Sequence, residues 1–209
     1  MIIRELIERY PQLKVSEKDI RKAVDIIINC YKNGGKLLLC GNGGSCADCD
    51  HIVGELMKGF LKKRRLTESE KCKMKESYPE IDDALLSSLQ GGLPAISLPA
   101  LTALNSAFCN DEDPSLIYAQ AVLGLGKKND VLICISTSGN STNVKNAAKV
   151  GKAIGMTVIS MTGEAGGALF GISDITVRAP EKETFKVQEL HLPIYHAICA
   201  AVEEYFFKI

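Results

Sequence analysis

The sequence predicts an α/β fold in which a parallel sheet is wrapped by helices. Three observations lead there. Short, mostly apolar runs recur along the chain, helix-length segments separate them from residue 94 onward, and turns rich in glycine or hydroxyls follow three of the runs. Strands covered on both faces read as continuous apolar runs, whereas half-exposed strands alternate. With 209 residues, 46% of them hydrophobic, the chain can bury one substantial core.

Taken in order, Ser16 followed by Asp19 approximates a capping box, which predicts a helix start. Ile20, Ala23, Val24, Ile27, Ile28 and Tyr31 then recur at helical spacing until Asn33-Gly34-Gly35 ends the helix. The five runs LLLC (37–40), PAISLP (94–99), VLICIS (131–136), TVISMT (157–162) and DITVRAP (174–180) are the expected strands. Loops GNGGS (41–45), STSGNS (136–141) and TGEAGG (162–167) each follow one of them, so all three belong to the carboxyl edge, where open parallel sheets collect ligands. The segment from about Glu183 to Phe207 is helical in pattern. Its apolar residues Val187, Leu190, Ile194, Tyr195, Ile198, Val202, Tyr205 and Phe206 cover a face broad enough to predict burial against another subunit. Residues 58–92 are charged, with a basic cluster from Lys62 to Arg65. The plainer reading of that stretch is a solvated excursion carrying a helical piece, and the other is a lid or partner site.

Composition narrows the function. The chain carries 25 basic and 25 acidic residues, so it lacks the basic excess expected of a nucleic-acid partner. No apolar span reaches bilayer length and the first twenty residues do not form a signal peptide, so a soluble, cytoplasmic protein without a membrane partner is expected. Several of the eight cysteines fall inside predicted strands and helices, where they act as small hydrophobes, and free thiols in a reducing compartment follow.

What the first turn can hold is decided by what it lacks. A dinucleotide fingerprint needs a third glycine where this chain has Cys46, and an acid after the second strand that residues 94–100 do not supply. No Walker loop occurs anywhere. A smaller anion fits better, because Ser136, Thr137, Ser138 and Ser141 sit where the third strand ends and a helix begins at about Thr142. Hydroxyls and free backbone N–H groups at a helix N-terminus bind a phosphate monoester without a lysine. Cys46-x-x-Cys49 would be half a zinc site or a redox pair, but no second pair lies nearby and both cysteines read as helix filler. His51 and Glu55, four apart, share one helix face, either as a surface contact or as a metal or acid/base pair.

With GNGGS, His51-x-x-x-Glu55, Asn110-Asp111, STSGNS and Gln188-Glu189-x-His191-x4-His196 in this order, the chain resembles the sugar isomerase (SIS) domain family. Within it the chain is similar to the phosphoheptose isomerases, over about residue 16 to the C-terminus apart from the charged excursion. The resemblance implies a single three-layer αβα domain with a five-stranded, flavodoxin-like parallel sheet. It implies a homotetramer with active sites at subunit contacts, and conversion of sedoheptulose 7-phosphate to an aldoheptose 7-phosphate. By position, it makes Glu55 the base and His196 the acid. His51, Glu55, Gln188 and His196 match the family's zinc ligands. Asn42, Gly43, Gly44, Asn110, Asp111, Ser136, Thr137, Ser138, Ser141 and Gln188 match its substrate contacts.

The residues agree with that chemistry. Moving a carbonyl between C2 and C1 through an enediol needs a base at the neighbouring carbon and an acid at the oxygen, and a carboxylate with an imidazole suits both roles. Gln188 and His196 lie eight residues apart, roughly 12 Å along a straight helix, so a shared metal would sit midway or between chains. A rival reading is a non-catalytic SIS-domain protein that senses a sugar phosphate or docks on another protein, as the replication-initiator-associated members do.

Overall fold

In a computed structural model, which describes residues 1–207, the five apolar runs form five parallel strands. These are β1 (Leu37–Gly41), β2 (Ala95–Ser97), β3 (Val131–Ile135), β4 (Thr157–Thr162) and β5 (Ile175–Arg178). Their order across the sheet is β2-β1-β3-β4-β5. The register pairs Leu38 with Leu132, and Leu132 with Val158. The continuous apolar runs have a direct cause. Leu37 and Leu39 of β1 enter one core, while Leu38 and Cys40 enter the other, and Val131, Ile133 and Ile135 alternate with Leu132 and Cys134 in the same way. Each fully buried leucine contributes about 1.5–3 kcal/mol of transfer free energy, so both faces of the central strands hold the sheet between its layers.

The described residues also form ten α-helices: α1 (Ile2–Arg9), α2 (Glu17–Lys32), α3 (Gly44–Met57), α4 (Glu68–Ser77), α5 (Asp83–Ser88), α6 (Thr102–Asp111), α7 (Ile117–Leu125), α8 (Thr142–Ala153), α9 (Leu169–Ile172) and α10 (Thr184–Phe206). Helices α1, α2, α3 and α10 cover one face, and α7, α8 and α9 the other. Helix α1 is additional to the expected elements. It buries Ile3 and Leu6 in the first core.

Two expectations are corrected. Ser16 does occupy the position before α2, but its side chain makes no capping bond. Its hydroxyl donates instead to the carbonyl of Arg178 at the end of β5, tying the helix start to the sheet. The broad apolar face of α10 is also buried mainly within its own chain, since Val187, Leu190, Ile194, Tyr195, Ile198 and Val202 all lie in the first core. Helices α1, α2 and α3 supply the surface that another subunit was expected to provide.

The excursion between α3 and β2 is solvated, as its charge suggests: α4 buries none of its residues and starts with a capping box between Thr67 and Glu70. Its base is closed. Arg65 and Gln90 form an isolated antiparallel bridge, and the Gly91 N–H donates to the Arg64 carbonyl at 2.7 Å. Arg64, read as part of a basic surface cluster, is 1% exposed. Its Nε donates to Glu203 Oε1 at 2.8 Å, Nη1 to the Leu56 carbonyl at 2.5 Å and Nη2 to the Glu55 carbonyl at 2.9 Å. Glu203 accepts two more bonds, from the Phe60 and Leu61 N–H groups, both at 2.8 Å. Burial alone would raise the Glu203 carboxyl, but those N–H groups and Arg64 outweigh it and hold it below its ordinary range.

Candidate active site

The strand order reverses between β1 and β3, because the chain leaves β1 for β2 on one side and then crosses to β3 on the other. That switch is where ligands enter open parallel sheets, and here GNGGS and STSGNS are the two loops that flank it. After β3 the chain turns tightly. The Gly139 N–H donates to the Ser136 carbonyl at 2.9 Å, and Gly139 has φ +66°. A Cβ on Gly139 would lie 2.0 Å from the Gly166 carbonyl oxygen, so only glycine lets the turn stack against TGEAGG. Bonds stitch the two turns together, from Gly163 N to the Thr137 carbonyl at 2.8 Å and from Ala168 N to Asn140 Oδ1 at 2.9 Å.

Ser141 precedes α8, yet it makes no capping bond and no acidic residue stands in the first turn. Its hydroxyl lies 3.0 Å from that of Ser136. Asn143 Oδ1 accepts the Val144 N–H at 3.0 Å but brings no charge, so the positive end of α8 lacks a negative side chain of its own, which suits an incoming anion. Thr137 is half-buried and Ser138 exposed.

The glycine turn is anchored to this site. Asn42 and Asn143 exchange amide bonds, Nδ2 to Oδ1, at 2.9 and 3.0 Å. The Tyr118 hydroxyl lies 2.8 Å from the Gly41 carbonyl and 3.2 Å from Asn42 Oδ1. Gly43, with φ +56°, starts α3. A Cβ on Gly44 would come within 2.5 Å of Gln188 Nε2, so the missing side chain makes room for that amide on the turn. Tyr118 and Asn143 were not among the expected site residues. Their roles depend on contacts across more than 75 residues, as the Tyr118–Asn42 separation of 76 shows.

Two turns into α3, His51 and Glu55 meet α10. His51 Nε2 lies 3.2 Å from Glu55 Oε1 and 3.4 Å from His196 Nε2. Glu55 Oε2 is buried without a hydrogen bond, the Lys58 ammonium being 3.8 Å away. Burial first, and then repulsion from His51, hold His196 below the ordinary imidazole range. On the far side of His51, Nδ1 lies 2.9 Å from the Tyr195 hydroxyl, which also lies 3.2 Å from Asp48 Oδ1. Burial raises both Asp48 and Tyr195, so the phenol keeps its hydrogen. Beside His196 opens a groove of about 360 Å³ lined in part by Arg9, Tyr10, Phe60, Leu61 and Pro193.

His51, Glu55 and His196 are thus brought together, whereas Gln188 lies at the glycine turn. Among the described residues no group of three or more His, Cys, Asp or Glu is arranged as a finished metal cage. The three clustered side chains are nonetheless of the donor types zinc takes, with Nε2 and Oε1 atoms within 3.4 Å of His51 Nε2. Cys46 and Cys49 lie within α3 as free thiols, Cys49 buried. Asn110 and Asp111 stand apart from the cluster. They close α6, both exposed, with Asn110 Nδ2 donating to Asp111 Oδ1 at 2.8 Å.

His191 faces the sheet instead. It is fully buried, and its Nε2–H donates to the Thr162 carbonyl at 3.2 Å. Burial pushes it down to about 4 against that bond. A histidine kept neutral in the fold stabilises fully above its unfolded value of 6.5, and the contribution disappears as pH falls through the folded value. The gap is worth about 3 kcal/mol, of which about 2 kcal/mol should be lost between pH 7 and pH 5. Urea midpoints should show that loss, and His191→Gln should flatten it. An equal loss in the variant would contradict the assignment.

Comparison with known proteins agrees with this geometry. The SIS domain family matches residues 3–93 and 91–163. The phosphoheptose isomerase of Aliarcobacter butzleri (strain RM4018) is 35% identical over 191 residues, covering 91% of this chain and 87% of that one. That of Helicobacter pylori (strain P12) is 33% identical over 210 residues, covering 99% and 96%. Among solved structures, phosphoheptose isomerase GmhA from Neisseria gonorrhoeae superposes with a TM-score of 0.75 at 29% identity, covering 96% of this chain and 94% of that one. A phosphoheptose isomerase from Francisella tularensis gives a TM-score of 0.75 at 28% identity with the same coverage. No described helix is long and apolar enough to cross a membrane.

Proposed function

We propose, from the premise that this chain belongs to the SIS-domain family, that it is a sugar-phosphate aldose–ketose isomerase interconverting sedoheptulose 7-phosphate and D-glycero-D-manno-heptose 7-phosphate. The observation that carries the reading is the meeting of Glu55 and His196, 141 positions apart in the numbering, at one imidazole on the helix that starts from the glycine turn. From Gly44 to His51 that helix rises roughly 10 Å, about the reach of an extended seven-carbon chain whose phosphate rests by the hydroxyl turn.

The phosphate sits against Ser136, Thr137, Ser138 and Ser141 at the start of α8, and Asn42, Gly43, Gly44 and Gln188 hold the middle of the chain. Glu55 takes a proton from C1 of the ketose while His196 delivers one to the oxygen on C2, giving an enediol. Returning the first proton to C2 and removing one from the C1 oxygen completes the aldose, with no net gain or loss of hydrogen. Zinc, when bound, supplies Lewis-acid polarisation of the carbonyl. His51, Glu55 and His196 would hold it, with Gln188, which in its own chain lies at the glycine turn, joining them only from a second chain, and Glu55 serves as base only when it is not a tight ligand.

A homotetramer with active sites at subunit contacts belongs to the same proposal. Helix α6 supports it: none of its ten residues is buried, Leu104 is 38% exposed, and it ends in Asn110 and Asp111, which one chain leaves away from the cluster. A cytoplasmic setting without nucleic-acid or membrane partners fits the balanced charge.

The test is proton NMR of sedoheptulose 7-phosphate with the purified protein in D2O. Loss of C1 proton signal to solvent deuterium together with growth of an anomeric aldose signal is expected. Binding of the sugar phosphate with no exchange at C1 would leave a sensor in place of an enzyme.

A further inference from the structure

We propose that Asp48 and Tyr195 are positioning residues that fix the tautomer of His51, keeping its hydrogen on Nδ1 and leaving the Nε2 lone pair directed at Glu55 and His196. Tyr195 is 2% exposed, and its hydroxyl has two polar neighbours, His51 Nδ1 at 2.9 Å and Asp48 Oδ1 at 3.2 Å. A phenol has one hydrogen to give. In its ionised form, which the phenol's bond favours against burial, the Asp48 carboxylate only accepts, so that hydrogen goes to Asp48 and the phenol oxygen must then accept from His51. The opposite polarity would require Asp48 to carry a hydrogen of its own. Asp48 Oδ2 is buried without a hydrogen bond, which leaves the phenol as the donor its carboxylate is turned toward.

The geometry is held by rigid elements. Asp48 and His51 are three apart on α3 and share a face, while Tyr195 sits on α10 with its ring edge-to-face against His51 at 5.4 Å between centroids. The consequence appears at the other nitrogen. With the hydrogen on Nδ1, His51 Nε2 is an acceptor 3.2 Å from another acceptor, Glu55 Oε1, and 3.4 Å from His196 Nε2. Two converging acceptors are satisfied only by a shared proton or a cation. The relay therefore keeps the cluster receptive, in the way that an outer carboxylate orients a metal-binding histidine. Neither Asp48 nor Tyr195 touches the reacting atoms, and the claim rests on the reading of His51 as a member of the site.

The test is 15N NMR of the full chain in its solution assembly, labelled at histidine and free of metal. Only His51, His191 and His196 contribute. His51 is expected as the Nδ1–H form in the unaltered protein and as the Nε2–H form in Tyr195→Phe, which keeps the ring and removes the hydroxyl. Asp48→Asn should move it in the same direction. His191, bonded through Nε2–H to the Thr162 carbonyl, should stay unchanged and reports that each variant is folded. Zinc titration by calorimetry should show affinity about 10- to 100-fold weaker in Tyr195→Phe. An Nε2–H form of His51 in the unaltered protein would overturn the proposal. So would an unmoved tautomer in both variants, or equal zinc affinities. A tautomer that moves in a protein with no exchange at C1 leaves the relay standing and removes the isomerase reading alone.

Discussion

Glu55→Gln should lower kcat by about 10²- to 10⁴-fold while leaving KM within a few-fold, because it removes a proton acceptor used only on the way to the enediol. At about 1.4 kcal/mol per factor of ten, the loss corresponds to about 3–5 kcal/mol of transition-state stabilisation. Glutamine keeps the volume, and its amide N–H can donate to the His51 Nε2 lone pair, so the fold should survive. The buried Oε2, which has no hydrogen bond, is the atom whose basicity disappears. Rates of aldose formation and of deuterium entry at C1 should fall in parallel. A variant that turns over within tenfold of the unaltered protein would remove Glu55 from the mechanism and pass the role to another base.

Replacing Arg64 by Met should destabilise the protein by about 3–5 kcal/mol, the cost typical of breaking a buried ion pair from one side. Met matches the length of the stem but leaves the Glu203 carboxylate, 1% exposed, facing only the two N–H groups of Phe60 and Leu61. It also leaves the carbonyls of Glu55 and Leu56 without their guanidinium donors at the end of α3. Removing both charges together, in Arg64→Met with Glu203→Met, should recover much of that loss, since two apolar side chains leave no uncompensated charge. Denaturant midpoints of the four proteins of the cycle give the coupling. A double variant no more stable than the single Arg64 variant would show that the clamp acts through packing rather than charge.

The strands were legible because the apolar runs of the central strands are buried on both sides. Leu37 to Cys40 feed alternate side chains into two cores, and no polar position interrupts the run. The hydroxyl and glycine turns were legible for a related reason, since both stand where such runs stop. What sequence pattern does not carry is the meeting of polar groups from distant positions. Arg64 looks like one more surface charge until Glu203, 139 positions later, is placed against it. Tyr195 reads as part of an apolar helix face and Tyr118 carries no signal in the sequence, yet their hydroxyls reach His51 and Asn42. Ser16 carries a cap signature, but the carbonyl of Arg178 competes for its hydroxyl. His191 and His196 are five apart on one helix, about 140° around its axis, so they face opposite partners, the sheet and His51. Spacing gives that divergence but does not say which of the two faces the reacting groups.

Helix α10 carries His196 and, two turns later, Glu203, which holds Arg64 where the excursion leaves the core. Together with the Arg65–Gln90 bridge, this pin divides the polypeptide at residues 64–65 and 90–91 into a fixed floor and a free loop above it. Length added to a closed loop costs little in chain entropy, about 0.6 kcal/mol for each doubling. Apart from Leu86 of α5, which is fully buried, residues 66–89 are thus an evolutionary annex: substitutions, extensions or deletions there can be tried without moving the helix ends that position the chemistry, provided the hinge pins at its doorway are kept.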